Sequence, residues 1–322
     1  MSATKLYQPE LSKEELVALD LELAILLEVS AHKPGNVSVV TNFESTRYEH
    51  FLASAVVLGP SFRRAALRGI AYSEDRISLS AIGVGSIIRD CVRKIANWQH
   101  GGNTLLGAVM LLSPIALAAG MSQLVEGSFE ASQLRTKLKL IVESTTSEDA
   151  VNVYEAIRIA KPSGLGQVPE LDVNKPDSIS KIRSENVSLY DVFKIASNRD
   201  MICSEWTSNF TVTFDVAYPL LTEKLNSVRD VNVAVLQTFL GVLSEYPDTF
   251  IARKAGLERA REVSLIARKV LQAGGAETTK GKERLAEFDQ MLKNESNLLN
   301  PGTTADVICA ALALSVLGGY RP

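Results

Sequence analysis

The chain's 322 residues are enough for one large domain or two small ones. Hydrophobic side chains supply 46% of it and charged ones 22%, a globular balance that excludes wholesale disorder and fibrous repeats. Lys and Arg number 34 against 37 Asp and Glu, a net charge of -3, so a dedicated nucleic-acid binder with its cationic excess is not expected.

Taken from the N-terminus onward, the periodicity is helical almost throughout. Residues 1–15 are polar and mixed in charge, without the basic start and apolar core of an export signal. Ser12 with Glu15 three residues on is a capping-box signature. Leu16, Leu19, Leu23, Leu26 and Leu27 then mark one helical face to about Ser30, where Lys33-Pro34-Gly35-Asn36 stops it. Further helices are predicted over 48–58, 61–68, 79–97, 104–119, 130–143 and 147–160. Residues 161–187 lose the apolar period and carry Pro162, Gly164, Gly166, Pro169 and Pro176, which predicts a long loop serving as a lid or connector. Helices resume over 189–197, 201–224, 231–245, 257–272, 280–293 and 303–317. Within 201–224, the run from Phe210 to Val216 reads equally as the one candidate strand or, before Pro219, as a kinked helix.

The most apolar stretches, 105–119 and 307–317, fall short of the roughly 20 residues that span a bilayer. They predict buried helices, whose surfaces would also suit a homodimer interface. The expected fold is all-α, a single domain of about a dozen helices. Cys91, Cys203 and Cys309 are widely spaced, odd in number and in no metal-ligand pattern. A reduced, cytoplasmic protein without membrane contact is therefore expected.

In such a chain, chemistry is expected where loops meet helix ends, and four segments concentrate Gly, Pro, Asn and Thr with charges there. Glu28 is followed by Lys33-Pro34-Gly35-Asn36, a turn that can hold an ammonium beside an anion or simply stop a helix. Gly101-Gly102-Asn103-Thr104 feeds an apolar helix, either as an anion site or as a plain N-cap, and it is not a Walker loop. Asp248-Thr249 with Arg253-Lys254 puts a carboxylate at a helix start and two cations a turn later, with solvated charges as the bland reading. Asn300-Pro301-Gly302-Thr303-Thr304-Ala305-Asp306 places a carboxylate inside an otherwise apolar helix, which costs several kcal/mol unless it is paired, bound to metal or met by helix N–H groups. His32, His50 and His100 form no i, i+4 metal pair.

In this order the four segments resemble the triphosphoribosyl-dephospho-CoA synthase family, enzymes that build the prosthetic group of citrate lyase and malonate decarboxylase. The matching residues are Glu28 with Lys33-Pro34-Gly35, then Gly101-Gly102-Asn103-Thr104, then Asp248-Thr249 with Arg253-Lys254 and Gly256, and last Leu299 through Asp306 residue for residue. The family's Gly-Ala-His-x-Asp-Met stretch has no match in 41–51, and its His-Lys after Asn-Thr is replaced by Leu105-Leu106. These departures mark a divergent branch, more similar to archaeal homologues. The resemblance implies transfer of the triphosphoribosyl group of ATP to the 2′-hydroxyl of dephospho-CoA with release of adenine. Ribosyl transfer to another acceptor, glycosidic hydrolysis, and a non-catalytic nucleotide-binding helical protein stand as alternatives. It further implies Glu28, Asp248 and Asp306 as catalytic carboxylates and Mg²⁺ ligands. Lys33, Gly35, Gly102, Asn103, Thr104, Arg253, Lys254, Asn300, Gly302, Thr303 and Thr304 would bind substrate and phosphate.

Overall fold

In the computed structural model, which describes residues 11–166, 168, 170–293 and 297–322, the first helix starts at the predicted capping box. The Glu15 carboxylate accepts from the Ser12 N–H at 3.0 Å, and α1 runs Lys13–Ser30. Residues 1–10, which carry most of the expected signal-free start, and Pro169 lie outside the described residues. The chain continues through α2 (Tyr48–Ser73), α3 (Val84–Trp98), α4 (Leu106–Met121), α5 (Ala131–Glu143) and α6 (Ser147–Ala160). Next come α7 (Asp177–Ser184), α8 (Leu189–Ala196), α9 (Met201–Thr207) and α10 (Tyr218–Ser227). The last five are α11 (Val231–Glu245), α12 (Thr249–Ala255), α13 (Leu257–Gln272), α14 (Thr279–Lys293) and α15 (Gly302–Leu317). No strand occurs among the described residues; the fold is all-α, with fifteen α-helices rather than about a dozen.

Two helices form the centre because they have no polar face to offer water. In α4 every residue except Gly107 is buried, and in α15 the run from Val307 to Leu317 is buried without a gap. α2 and α15 pack on α4, and α1 packs on α2 and α15, so the apolar surface that would suit a homodimer interface is used inside this chain. α3 pairs with α6 on one flank and α11 with α13 on the other. No helix among the described residues is long and apolar enough to cross a membrane.

The expected boundaries shift where tertiary packing outweighs local signals. The helices expected at 48–58 and 61–68 are one, α2, which runs through Pro60. Pro60 is exposed, so the unbonded carbonyl behind it faces water, while Ala55, Leu58, Phe62 and Ala65 keep a buried stripe across it. Gly83, at φ +63, breaks the expected 79–97 helix before α3. The expected loop at 161–187 contains a helix, α7, whose Ile182 is buried. The 201–224 pattern stops at Asn209 and Phe210, both at positive φ, and continues as a π-helical turn, Val212–Ala217. The buried Glu205 carboxylate accepts from the Val212 and Thr213 N–H groups at 2.8 Å each, which fixes that turn and settles the strand-or-kink ambiguity toward helix.

Candidate active site

The four segments converge. A cavity of about 770 Å³ is lined by Glu28 from the end of α1, Asn103 and Thr104 from the approach to α4, Arg253 and Lys254 from α12, and Asn300, Gly302, Thr303 and Asp306 from the start of α15. The expected loop contributes another wall through Pro162, Gly164 and Gly166.

On the acidic side, Lys33 is not a free phosphate contact. Its ammonium is 1% exposed, lies 3.1 Å from Glu28 Oε1, and donates to the Glu28 and Ala31 carbonyls. It therefore closes the C-terminal end of α1 and neutralises Glu28, the carboxylate that lines the cavity. Gly35 lies outside the lining; at φ +72 it brings its turn against α14, and a Cβ there would sit 2.9 Å from Leu292 Cβ and 3.2 Å from Pro301. Its N–H donates to Asp289 at 2.9 Å, so the first segment is pinned beside the fourth.

Asp306 enters the cavity from α15 because α4 has a glycine opposite. A Cβ on Gly107 would lie 2.0 Å from Asp306 Oδ2. Burial pushes the Asp306 carboxyl well above the usual carboxylate range, and the charges of Glu28 and Asp248 push it further. Asp248 has a different task. It is fully buried, and Oδ1 accepts from the Phe250 and Ile251 N–H groups at 2.8 and 3.1 Å. Oδ2 accepts from the Thr304 N–H and hydroxyl at 2.7 and 2.8 Å. One carboxylate thus caps α12 and α15 together, and neither Asp248 nor Thr304 lines the cavity.

The basic side is built on α12. Arg253 pairs with Asp200 and stands over the Phe250 ring at 5.6 Å, while its Nε is buried without a partner among the described residues. Lys254 lies 4.1 Å over the same ring and donates to the Asn297 carbonyl. Burial lowers its pKa to about 8, against the opposing pull of Asp248. Arg199 and Asp200 also line the cavity. Asp200 had a local signal, since it caps α9 through the Cys203 N–H at 3.1 Å; Arg199, a lone cation in a polar turn, had none. On the α4 side, Asn103 Oδ1 accepts from the Leu106 N–H at 3.1 Å, and Thr104 Oγ1 bonds Ser54 Oγ at 2.8 Å. Gly102, at φ +72, lies behind them, its carbonyl accepting from Gln99 at 2.8 Å. Leu105 and Leu106 present apolar surface to the same cavity.

Among the described residues no three His, Cys, Asp or Glu side chains cluster as a metal site. Asp248, with four donors on its two oxygens, has no room for a metal; Glu28 and Asp306 remain as cavity carboxylates.

Cationic and anionic side chains line one partly apolar cleft inside an all-helical frame, an arrangement suited to an enzyme that acts on a charged small molecule. The family model described as ATP:dephospho-CoA triphosphoribosyl transferase matches residues 14–322, and the chain belongs to that family. It is similar to the 2-(5''-triphosphoribosyl)-3'-dephosphocoenzyme-A synthase of Klebsiella pneumoniae, 24% identical over 95% of this chain and 91% of the relative. A Stutzerimonas stutzeri protein carrying the same name with the qualifier "probable" is 35% identical over 82% of this chain and 78% of its own. A crystal structure from Archaeoglobus fulgidus, provisionally described as a triphosphoribosyl-dephospho-CoA synthase, shares the fold with a TM-score of 0.63. It is 24% identical, and the match covers 85% of this chain and all of that one.

Proposed function

We propose that this chain transfers the triphosphoribosyl group of ATP to the 2′-hydroxyl of dephospho-CoA and releases adenine. The observation that carries it is the meeting of Glu28 and Asp306 with Arg253 and Lys254 around one cavity, in a member of the transferase family. The bond from ribose C1′ to adenine N9 breaks, the acceptor oxygen bonds C1′, and the hydroxyl proton leaves as adenine gains one.

Arg253 and Lys254 attract the triphosphate, and the first-turn amide of α15 at Thr303 adds a donor. Glu28 and Asp306 put carboxyl groups beside the sugar, where positive charge develops at C1′. Asp306, whose carboxyl burial pushes well above the usual carboxylate range, favours the protonated form and can give its proton to the departing base. Mg²⁺, held by the phosphates with Glu28 and Asp306, would neutralise charge on the polyphosphate. The three cysteines are free and buried, which supports a reducing compartment such as the cytoplasm.

The test is incubation with ATP and Mg²⁺, with and without dephospho-CoA, followed by chromatography for adenine and mass analysis of the product. Adenine equimolar with a triphosphoribosylated dephospho-CoA is expected. Adenine release indifferent to dephospho-CoA would instead identify a hydrolase or a different acceptor.

A further inference from the structure

Three buried polar atoms of the cavity lack a hydrogen-bond partner among the described residues: Glu28 Oε1, Arg253 Nε and Asn300 Oδ1. Glu28 has a cation beside it and Arg253 a carboxylate, so their charges are answered. Asn300 is neutral and its buried Oδ1 accepts no hydrogen bond among the described residues, although its backbone is fixed, the N–H donating to Asn297 O at 3.4 Å and the carbonyl accepting from the Gly302 N–H at 2.9 Å. A buried amide oxygen left open in this way is destabilising unless a ligand completes it.

Resting on the transferase reading, we infer that Asn300 selects the base of the nucleotide donor. Its carboxamide accepts from the N6 amino group of adenine and donates to N7, a pairing that a 6-oxo purine cannot make. The surroundings suit a purine. Phe250 and Leu298 line the same cavity as apolar surfaces, and Phe250 packs against Gly302, where a Cβ would meet the ring at 3.0 Å. Asp306 lies just over one turn into the helix that Asn300 precedes, so base reader and sugar-side carboxylate follow one another on a single rigid segment. Donation to N7 also steadies the purine as it departs.

The experiment compares kcat/KM for base release from ATP and from ITP at saturating dephospho-CoA, and the KM of dephospho-CoA at saturating ATP, in the wild type, N300A and the isosteric N300D. The wild type should prefer ATP by about tenfold or more, and N300A should lose most of that preference. N300D, which keeps the shape but not the donor, should lose rate with ATP. An unchanged ATP-to-ITP ratio in N300A overturns the inference, and so does a defect confined to the KM of dephospho-CoA, which would place Asn300 on the acceptor. A wild type that releases no base from either nucleotide refutes the transferase reading and removes the inference with it. That outcome is distinct from an unchanged ratio in an active enzyme.

Discussion

An aspartate just inside an apolar helix loses hydration that the facing Ala108 amide does not restore, and at Asp306 the nearby Glu28 and Asp248 charges add to the cost. The folded protein therefore binds a proton at Asp306 more tightly than the unfolded chain does. This lowers stability as pH rises from the ordinary carboxylate value through the raised one. D306N should raise the thermal stability of the ligand-free protein at neutral pH by about 0.5–2 kcal/mol, with the gain vanishing near pH 4, while adenine release is lost. Calorimetry across pH with a release assay checks both halves; a variant less stable at every pH would refute the argument. Lys254 works in the opposite sense. Its pKa of about 8 means that a phosphate contact is discharged on mild alkalinisation, so kcat/KM for ATP should fall above about pH 8. K254R, which stays charged, should keep its profile level there. The same depressed pKa makes folding stability rise between about pH 8 and the ordinary lysine value of 10.5, because only the unfolded chain still holds that proton.

At the scale of elements, the decisive joint is between α12 and α15. α12 spans only Thr249–Ala255, too short to be stable alone, yet it carries both cations of the basic wall. Asp248 makes it possible by serving two helix starts at once, so its carboxylate supports the cavity from behind instead of entering it. D248A would orphan four donors and should cost about 2–4 kcal/mol in a urea titration, with ATP affinity falling even where the protein stays folded. An Asp248 acting as a metal ligand would give the reverse pattern, lost turnover with stability intact. The Lys33–Glu28 pair is a joint of the same kind, because it holds the end of α1 where Glu28 meets the cavity.

For the molecule as a whole, α4 and α15 are the axis around which the site is arranged. They are apolar on all sides, so the other helices must cover them. Among the described residues its charged side chains stand at its ends, where backbone N–H groups need partners. Thr104, Asp248, Thr304 and Asp306 gather there, and Gly107 leaves the space for the last of them. The cavity is thus a consequence of packing two greasy helices whose polar ends share one region.

The all-helical character, the buried nature of 105–119 and 307–317, and the identity of the four charged turns were legible in the linear chain. Each is a local property: a period, a capping pattern, or a motif met in order. Asp306 stood out because a single charge in an apolar run is visible without coordinates. The chain could not separate Glu28 and Asp306, which face the cavity, from Lys33, Asp248 and Thr304, which brace it, since all five are polar residues at helix ends. Nor could it reveal Arg199, or the helix hidden in 161–187. Those distinctions depend on which side chain finds a partner from a distant segment, and sequence spacing carries no information about a hydrogen bond made across the fold.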